Sequence, residues 1–314
     1  DLATPPTDIG IPLDLARPPA DPSRAGPRST VSYSLSVPIS NNANLSTQVI
    51  GPSEDNRELS KTGAPFPLVI LSPGFSLPTS QYTGYAQRLA SHGFVVIMQT
   101  YRNAGNHDQA RQDTTALLGW LISPTGANAA RLAGRVDGAR VGLTGHSLGG
   151  KISLLTAETD RRIKSVITID PVDGQPPLGA MQPAALPNMK DIMLAAGVPL
   201  GFLGETASKA GAQPCTPPTQ NYEVLYQAAS APAFAITFVG AGHQDFLDNP
   251  NCGFACSVCA SGNAPKDRTG ALAQKYVAAY FLWTLAGDPG ARDYLSGMAF
   301  DADRQSGAVT SVSK

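Results

Sequence analysis

Apolar and polar positions change rhythm along the chain. From Ser29 to Ser40 (STVSYSLSVPIS), Val31, Tyr33, Leu35 and Val37 alternate with serines. That is the period of two expected of a half-buried antiparallel strand, and LSTQVIGP after the NNAN turn reads as its partner. From Phe66 the texture becomes solid: FPLVILS at 66–72 and FVVIM at 94–98 enclose SQYTGYAQRLASHG, whose apolar residues fall three and four apart. Unbroken apolar runs of this length are strands covered on both faces. The alternation continues with a helix near 107–122 carrying Leu117, Leu118 and Leu121, a strand at 140–144, a helix from Leu148 to about Glu158 and a strand at 163–169. A strand at 198–203, a helix at 222–228, a strand at 233–239 and a closing helix near 269–285 complete it.

Such a sequence of elements predicts an α/β fold: a mostly parallel sheet with helices on both faces and an antiparallel N-terminal hairpin at one edge. A length of 314 residues admits two domains, but one domain over 29–300 absorbs nearly every element. Residues 1–28 carry seven prolines and read as an extended arm. The closing stretch 301–314, DADRQSGAVTSVSK, reads as a polar tail. Between 172 and 197 lies a Pro-rich loop with three of the five methionines, where Met189, Ile192, Met193 and Ala196 recur at helical spacing. It reads as a short cap of deformable apolar side chains or as a loop packed on the core.

Lys+Arg 23 against Asp+Glu 24 leaves a net charge of -1. With no basic run, nucleic acid is not an expected partner, and no stretch of about 18 apolar residues predicts a transmembrane segment. The four cysteines are Cys215, Cys252, Cys256 and Cys259, three of them within eight residues. An even number confined to loops predicts two disulfides in an exported protein, with three possible pairings. A zinc site would need Cys215 or a histidine as fourth ligand and lacks the usual paired CxxC spacing. The chain starts DLATPPTDIG, which is read as the mature form of a secreted or periplasmic protein lacking its signal peptide.

Candidate chemistry begins at Gly145-His146-Ser147-Leu148-Gly149, a G-x-S-x-G match between the strand RVGLT and the helix GGKISLLTAE. Strand, sharp turn and helix in that order are what the nucleophile elbow of an α/β-hydrolase requires, and they nominate Ser147 as nucleophile. Neither GxGxxG nor GxxxxGK[ST] occurs, so a phosphate-binding turn is not the better reading. Of four histidines, His92 ends a helix, His107 starts one and is expected at the surface or helix N-terminus, and His146 adjoins the nucleophile on a turn that splays neighbours apart. His243, in GAGHQDFLD after the last apolar strand, remains as the general base.

For the acid, Asp170 and Glu205 both end strands at the same edge, and topology alone does not separate them. Asp173, before Gly174, reads as turn chemistry and Asp245 as a loop cap. Two backbone N–H groups are expected to face the developing negative charge, one from Leu148 and one from the loop SPGF. Pro73 has no N–H, so Phe75 is the second donor chosen.

GHSLGGK, ITIDPVDG, PCTPPTQNYEVLY and GAGHQDFLD resemble, in order, four signature segments of the chlorophyllases, and LSPGFSLPTSQYTGYAQRLASHGFVVI resembles their oxyanion-loop region. The likeness runs over roughly 64–285. Platelet-activating-factor acetylhydrolases and bacterial cutinase-like polyester hydrolases share the elbow and the helix ending in ASHG. The resemblance places the acid on Asp170 and the base on His243. Plant chlorophyllases usually carry Arg, His and Met where this chain has Leu148, Pro73 and Gln244, so the reaction type carries over better than the chlorophyll substrate.

The resulting expectation is a serine ester hydrolase with the triad Ser147, Asp170 and His243, working through an acyl-enzyme without metal or organic cofactor. Its partner is a hydrophobic ester: a chlorophyll-type phytyl ester by resemblance, or a lipid-like ester or polyester. A binding protein on a hydrolase scaffold is the reading from another class. The sequence assigns no oligomeric state.

Overall fold

A computed structural model describes residues 20–40, 43–174, 198–210, 214–251, 253–257 and 259–314. The predicted cap lies outside them from residue 175 onward, including its Met189, Ile192, Met193 and Ala196. The chain begins with the hairpin β1 (Ser29–Ser40) and β2 (Ala43–Ser53), then β3 (Phe66–Ser72), α1 (Thr83–Ser91), β4 (Val95–Gln99), α2 (His107–Ile122) and α3 (Pro124–Ala129). β5 (Val136–His146), α4 (Leu148–Thr159), β6 (Ile163–Ile169), β7 (Leu200–Glu205), α5 (Tyr222–Ala228) and β8 (Ala233–Phe238) follow. α6 (Phe254–Ser257), α7 (Lys266–Thr284), α8 (Asp293–Ser296), α9 (Met298–Gln305) and β9 (Val309–Ser313) close the chain.

Among the described residues nine strands form one sheet in the order β1-β2-β4-β3-β5-β6-β7-β8-β9. β3 to β8 run parallel, while β1, β2 and β9 are antiparallel to their neighbours. The solid apolar runs have the predicted cause. Val69, Leu71, Val96 and Met98 enter the core under α1 and α7, while Leu68, Ile70, Val95 and Ile97 enter the opposite core under α2 and α4. Each such side chain contributes about 1.5–3 kcal/mol by leaving water.

Register then places the chemistry. Ser72 lies opposite Gly145 on β3 and β5, and His146 opposite Ile169 on β5 and β6. The residues that follow, Ser147 and Asp170, therefore leave adjacent strands side by side at the carboxyl edge.

Two expectations are corrected. Residues 301–314 are not a tail: α9 and β9 occupy them, and β9 pairs with β8 as an edge strand. Only Val309 is buried within 301–314, so a structured edge reads as polar. His107 does start α2, but it is 1% exposed rather than solvent-facing. Of the arm, residues 20–28 lie on the domain, with Gly26 N–H donating to Ser91 Oγ (2.7 Å) and Arg28 N–H to Ser91 O (3.2 Å).

Candidate active site

β5 ends, the chain turns at Ser147, and α4 begins at Leu148. Ser147 takes φ 55° and ψ -119°, the left-handed region that L-residues avoid and that marks functional turns. Its glycines are required by contact. A Cβ at Gly149 would lie 2.1 Å from Ser72 O, and one at Gly145 would lie 2.4 Å from the Gly149 carbonyl carbon. Ser147 N–H donates to Ile169 O (2.9 Å), tying the turn to β6. Leu148, as the first residue of α4, has an N–H with no acceptor one turn back, at the positive end of the helix dipole.

Asp170 also has positive φ, 44°, and its N–H donates to Leu203 O (2.7 Å). Its Oδ2 lies 2.6 Å from Nδ1 of His243, which opens a short turn after β8, and both residues are buried. Burial pushes the Asp170 carboxyl up, and the bond and charge of His243 oppose that shift. Glu205, the rival acid, is engaged elsewhere: its Oε1 accepts from Thr216 Oγ1 (2.6 Å) and its Oε2 from Ser208 N–H (2.8 Å). Burial, and then the charge of Asp170, raise it to about 7. The Ser147 to His243 contact is not among the hydrogen bonds of the described residues.

The loop after β3, where an oxyanion donor is expected, is held by two tyrosines. Gly74 N–H donates to Tyr82 Oη (2.9 Å), and Tyr101 Oη donates to Pro73 O (3.0 Å). With Gly74 N–H taken and Pro73 lacking one, Phe75 is the next N–H along the loop.

Several residues enter that sequence reading did not single out or misread. His146 is buried, with Nδ1 3.0 Å from Tyr82 Oη and Nε2 2.9 Å from the main-chain oxygen of His243. Tyr82 stands immediately before α1 without a motif to flag it. Ser208 accepts from His243 N–H (2.9 Å) and donates to Ala260 O (2.8 Å), clasping the loop that carries His243. Asp173 is not simple turn chemistry: its Oδ1 pairs with Lys151 Nζ at 2.9 Å, with both side chains buried behind the elbow. Asp245 does cap its loop, accepting from Gly242 N–H (2.8 Å).

Cys215 and Cys259 form a disulfide, and Cys256 is also disulfide-bonded; Cys252 lies outside the described residues. No group of three or more His, Cys, Asp or Glu side chains suited to a metal occurs among the described residues. No helix among them is long and apolar enough to cross a membrane.

Residues 58–293 match the sequence model of the family described as Chlorophyllase. Chlorophyllase-2 of Arabidopsis thaliana is 30% identical over 240 residues, covering 68% of this chain and 73% of that protein. Cutinase est1 of Thermobifida alba is 29% identical over 104 residues, 33% of this chain and 34% of that one. Among solved structures, a ferulic acid esterase from Streptomyces cinnamoneus covers 84% of this chain and 91% of its own, with TM-score 0.61 and 21% identity. That likeness shows the fold, which is the α/β-hydrolase fold, and the relatives support an ester hydrolase. With more than half of its length matched by the family's sequence model, the chain belongs to the chlorophyllase family.

Proposed function

We propose that the protein hydrolyses carboxylic esters through an acyl-enzyme on Ser147. The observation that carries this reading is the buried 2.6 Å contact between Asp170 and His243, one strand over from a serine held at positive φ. Ser147 Oγ attacks the ester carbonyl as His243 Nε2 takes its proton, a contact that tightens once substrate fills the site. Asp170 holds the imidazole by Nδ1–H and stabilises the imidazolium. The N–H groups of Leu148 and Phe75 receive the oxyanion. His243 then protonates the leaving alcohol, and water cleaves the acyl-enzyme by the same route in reverse.

A chlorophyll-type phytyl ester is the substrate the family match favours. The cutinase-like similarity supports the polyester reading over a shorter segment. The Cys215–Cys259 disulfide supports an exported protein, since such bonds persist in oxidising compartments. A fluorophosphonate probe tests the mechanism: one adduct on Ser147 of the folded protein is expected, and no adduct would favour the binding-protein reading. A panel of chlorophyll, p-nitrophenyl esters of increasing chain length and an aromatic polyester then ranks the substrates, and the phytyl ester is expected first.

A further inference from the structure

We propose that Tyr82 and His146 are positioning residues that join the oxyanion loop to the catalytic histidine's backbone, so that the two halves of the machinery are set together. The inference rests on the serine-hydrolase reading and adds two residues to it. Its basis is a buried chain of hydrogen bonds whose direction follows from a neutral imidazole.

His146 is fully buried, and burial, followed by the neighbouring His243, holds its pKa well below the ordinary value. The ring is therefore neutral, with one donor and one acceptor nitrogen. Nε2 faces the main-chain oxygen of His243 at 2.9 Å, and an oxygen of that kind only accepts, so Nε2 carries the proton. Nδ1 must then accept, and Tyr82 Oη–H, 3.0 Å away, donates to it. Burial raises the Tyr82 phenol, which keeps that proton in place. The Tyr82 oxygen is left to accept from Gly74 N–H at 2.9 Å.

The path runs from Gly74 N–H through Tyr82 and His146 to the carbonyl of His243, with no member idle. In a buried chain of this kind each bond polarises the next. One end lies next to Phe75, the proposed oxyanion donor, and the other on the proposed base. Packing reinforces the link. A Cβ at Gly74 would lie 3.0 Å from His146 Nδ1, and the His146 and His243 rings stand 4.5 Å apart at 34°. Neutrality matters here too, because a charged His146 at that distance would oppose protonation of His243.

Tyr82→Phe keeps the ring and removes only the hydroxyl, leaving the Gly74 N–H and His146 Nδ1 without their partner. Per active site titrated with fluorophosphonate, kcat on p-nitrophenyl butyrate is expected to fall tenfold to a hundredfold, with KM within about threefold of the original; small misplacements of oxyanion donors act on this scale. Phenylboronic acid, which forms a tetrahedral adduct in the same hole, should lose affinity in parallel with kcat. His146→Gln retains a donor for the His243 carbonyl, and His146→Phe does not. The pH profile of kcat/KM should therefore stay nearer the original in His146→Gln, and this pair decides the matter if Tyr82→Phe does not fold. Unchanged kcat and boronate affinity per titrated site, or identical profiles in both His146 variants, would overturn the proposal while Ser147 labelling stands. Absence of Ser147 labelling in the unmodified protein would instead remove the hydrolase reading beneath it.

Discussion

Ser147 and Asp170 leave neighbouring parallel strands immediately after the paired residues His146 and Ile169, and both do so with positive φ, 55° and 44°. The two strained turns are coupled directly, since Ser147 N–H donates to the carbonyl of Ile169, the residue before Asp170. Strain of this kind costs on the order of 1–3 kcal/mol per residue and persists where surrounding structure enforces it. Here β3, β6 and β7 enforce it, and the result is a serine and a carboxylate fixed at one edge.

That placement separates the two acids. Asp170→Asn is expected to lower kcat on a p-nitrophenyl ester by up to about 10⁴-fold, because the amide favours the wrong imidazole tautomer. Glu205→Gln, which touches Thr216 and Ser208 rather than the imidazole, should cost less than about tenfold by loosening the clasp on His243. The reverse ranking would move the acid to Glu205.

Stability should respond to pH in two opposing ways. Glu205 is raised from 4.5 to about 7, so between those values the unfolded chain releases a proton that the native state keeps. Stability falls as pH rises through that window and levels off above it. His107 is lowered from 6.5 to about 3, by burial and then by Lys151, so the unfolded chain gains a proton that the native state refuses. Its contribution is lost as pH drops below 6.5. Urea midpoints from pH 4 to 8 should show the first slope flattened in Glu205→Gln and the second in His107→Leu.

The Lys151 and Asp173 pair ties α4, the helix after Ser147, to the turn carrying Asp170, and Lys151 Nζ also donates to Asp173 O at 2.9 Å. Lys151→Met removes the cation and leaves a buried carboxylate without it, at an expected cost of about 3–5 kcal/mol in denaturant unfolding. Adding Asp173→Leu should recover most of that loss. A double variant no better than the single would show that the pair does not act as a unit.

Much of this was legible in the chain itself. FPLVILS and ITI had to be strands covered on both faces, and a serine between a strand and a helix with glycines on both sides had few other uses. Strand order and edge are shared by Asp170 and Glu205; the family resemblance favoured Asp170, and the 2.6 Å contact shows that it is the one facing His243. β9 was hidden because an edge strand with one buried residue looks like a polar tail. His146 and Tyr82 were hidden for a different reason: their roles depend on atoms from the loop after β3 and the turn after β8, which no local pattern brings together.

The central claim is the acyl-enzyme on Ser147, and rapid quenching tests it most directly. Mixed with excess p-nitrophenyl butyrate and acid-quenched within the first turnovers, the protein should gain one butyryl mass, mapped by peptide mass spectrometry to Ser147, and Ser147→Ala should show neither adduct nor turnover. Turnover retained by Ser147→Ala, or an adduct mapped to another residue, would contradict the account.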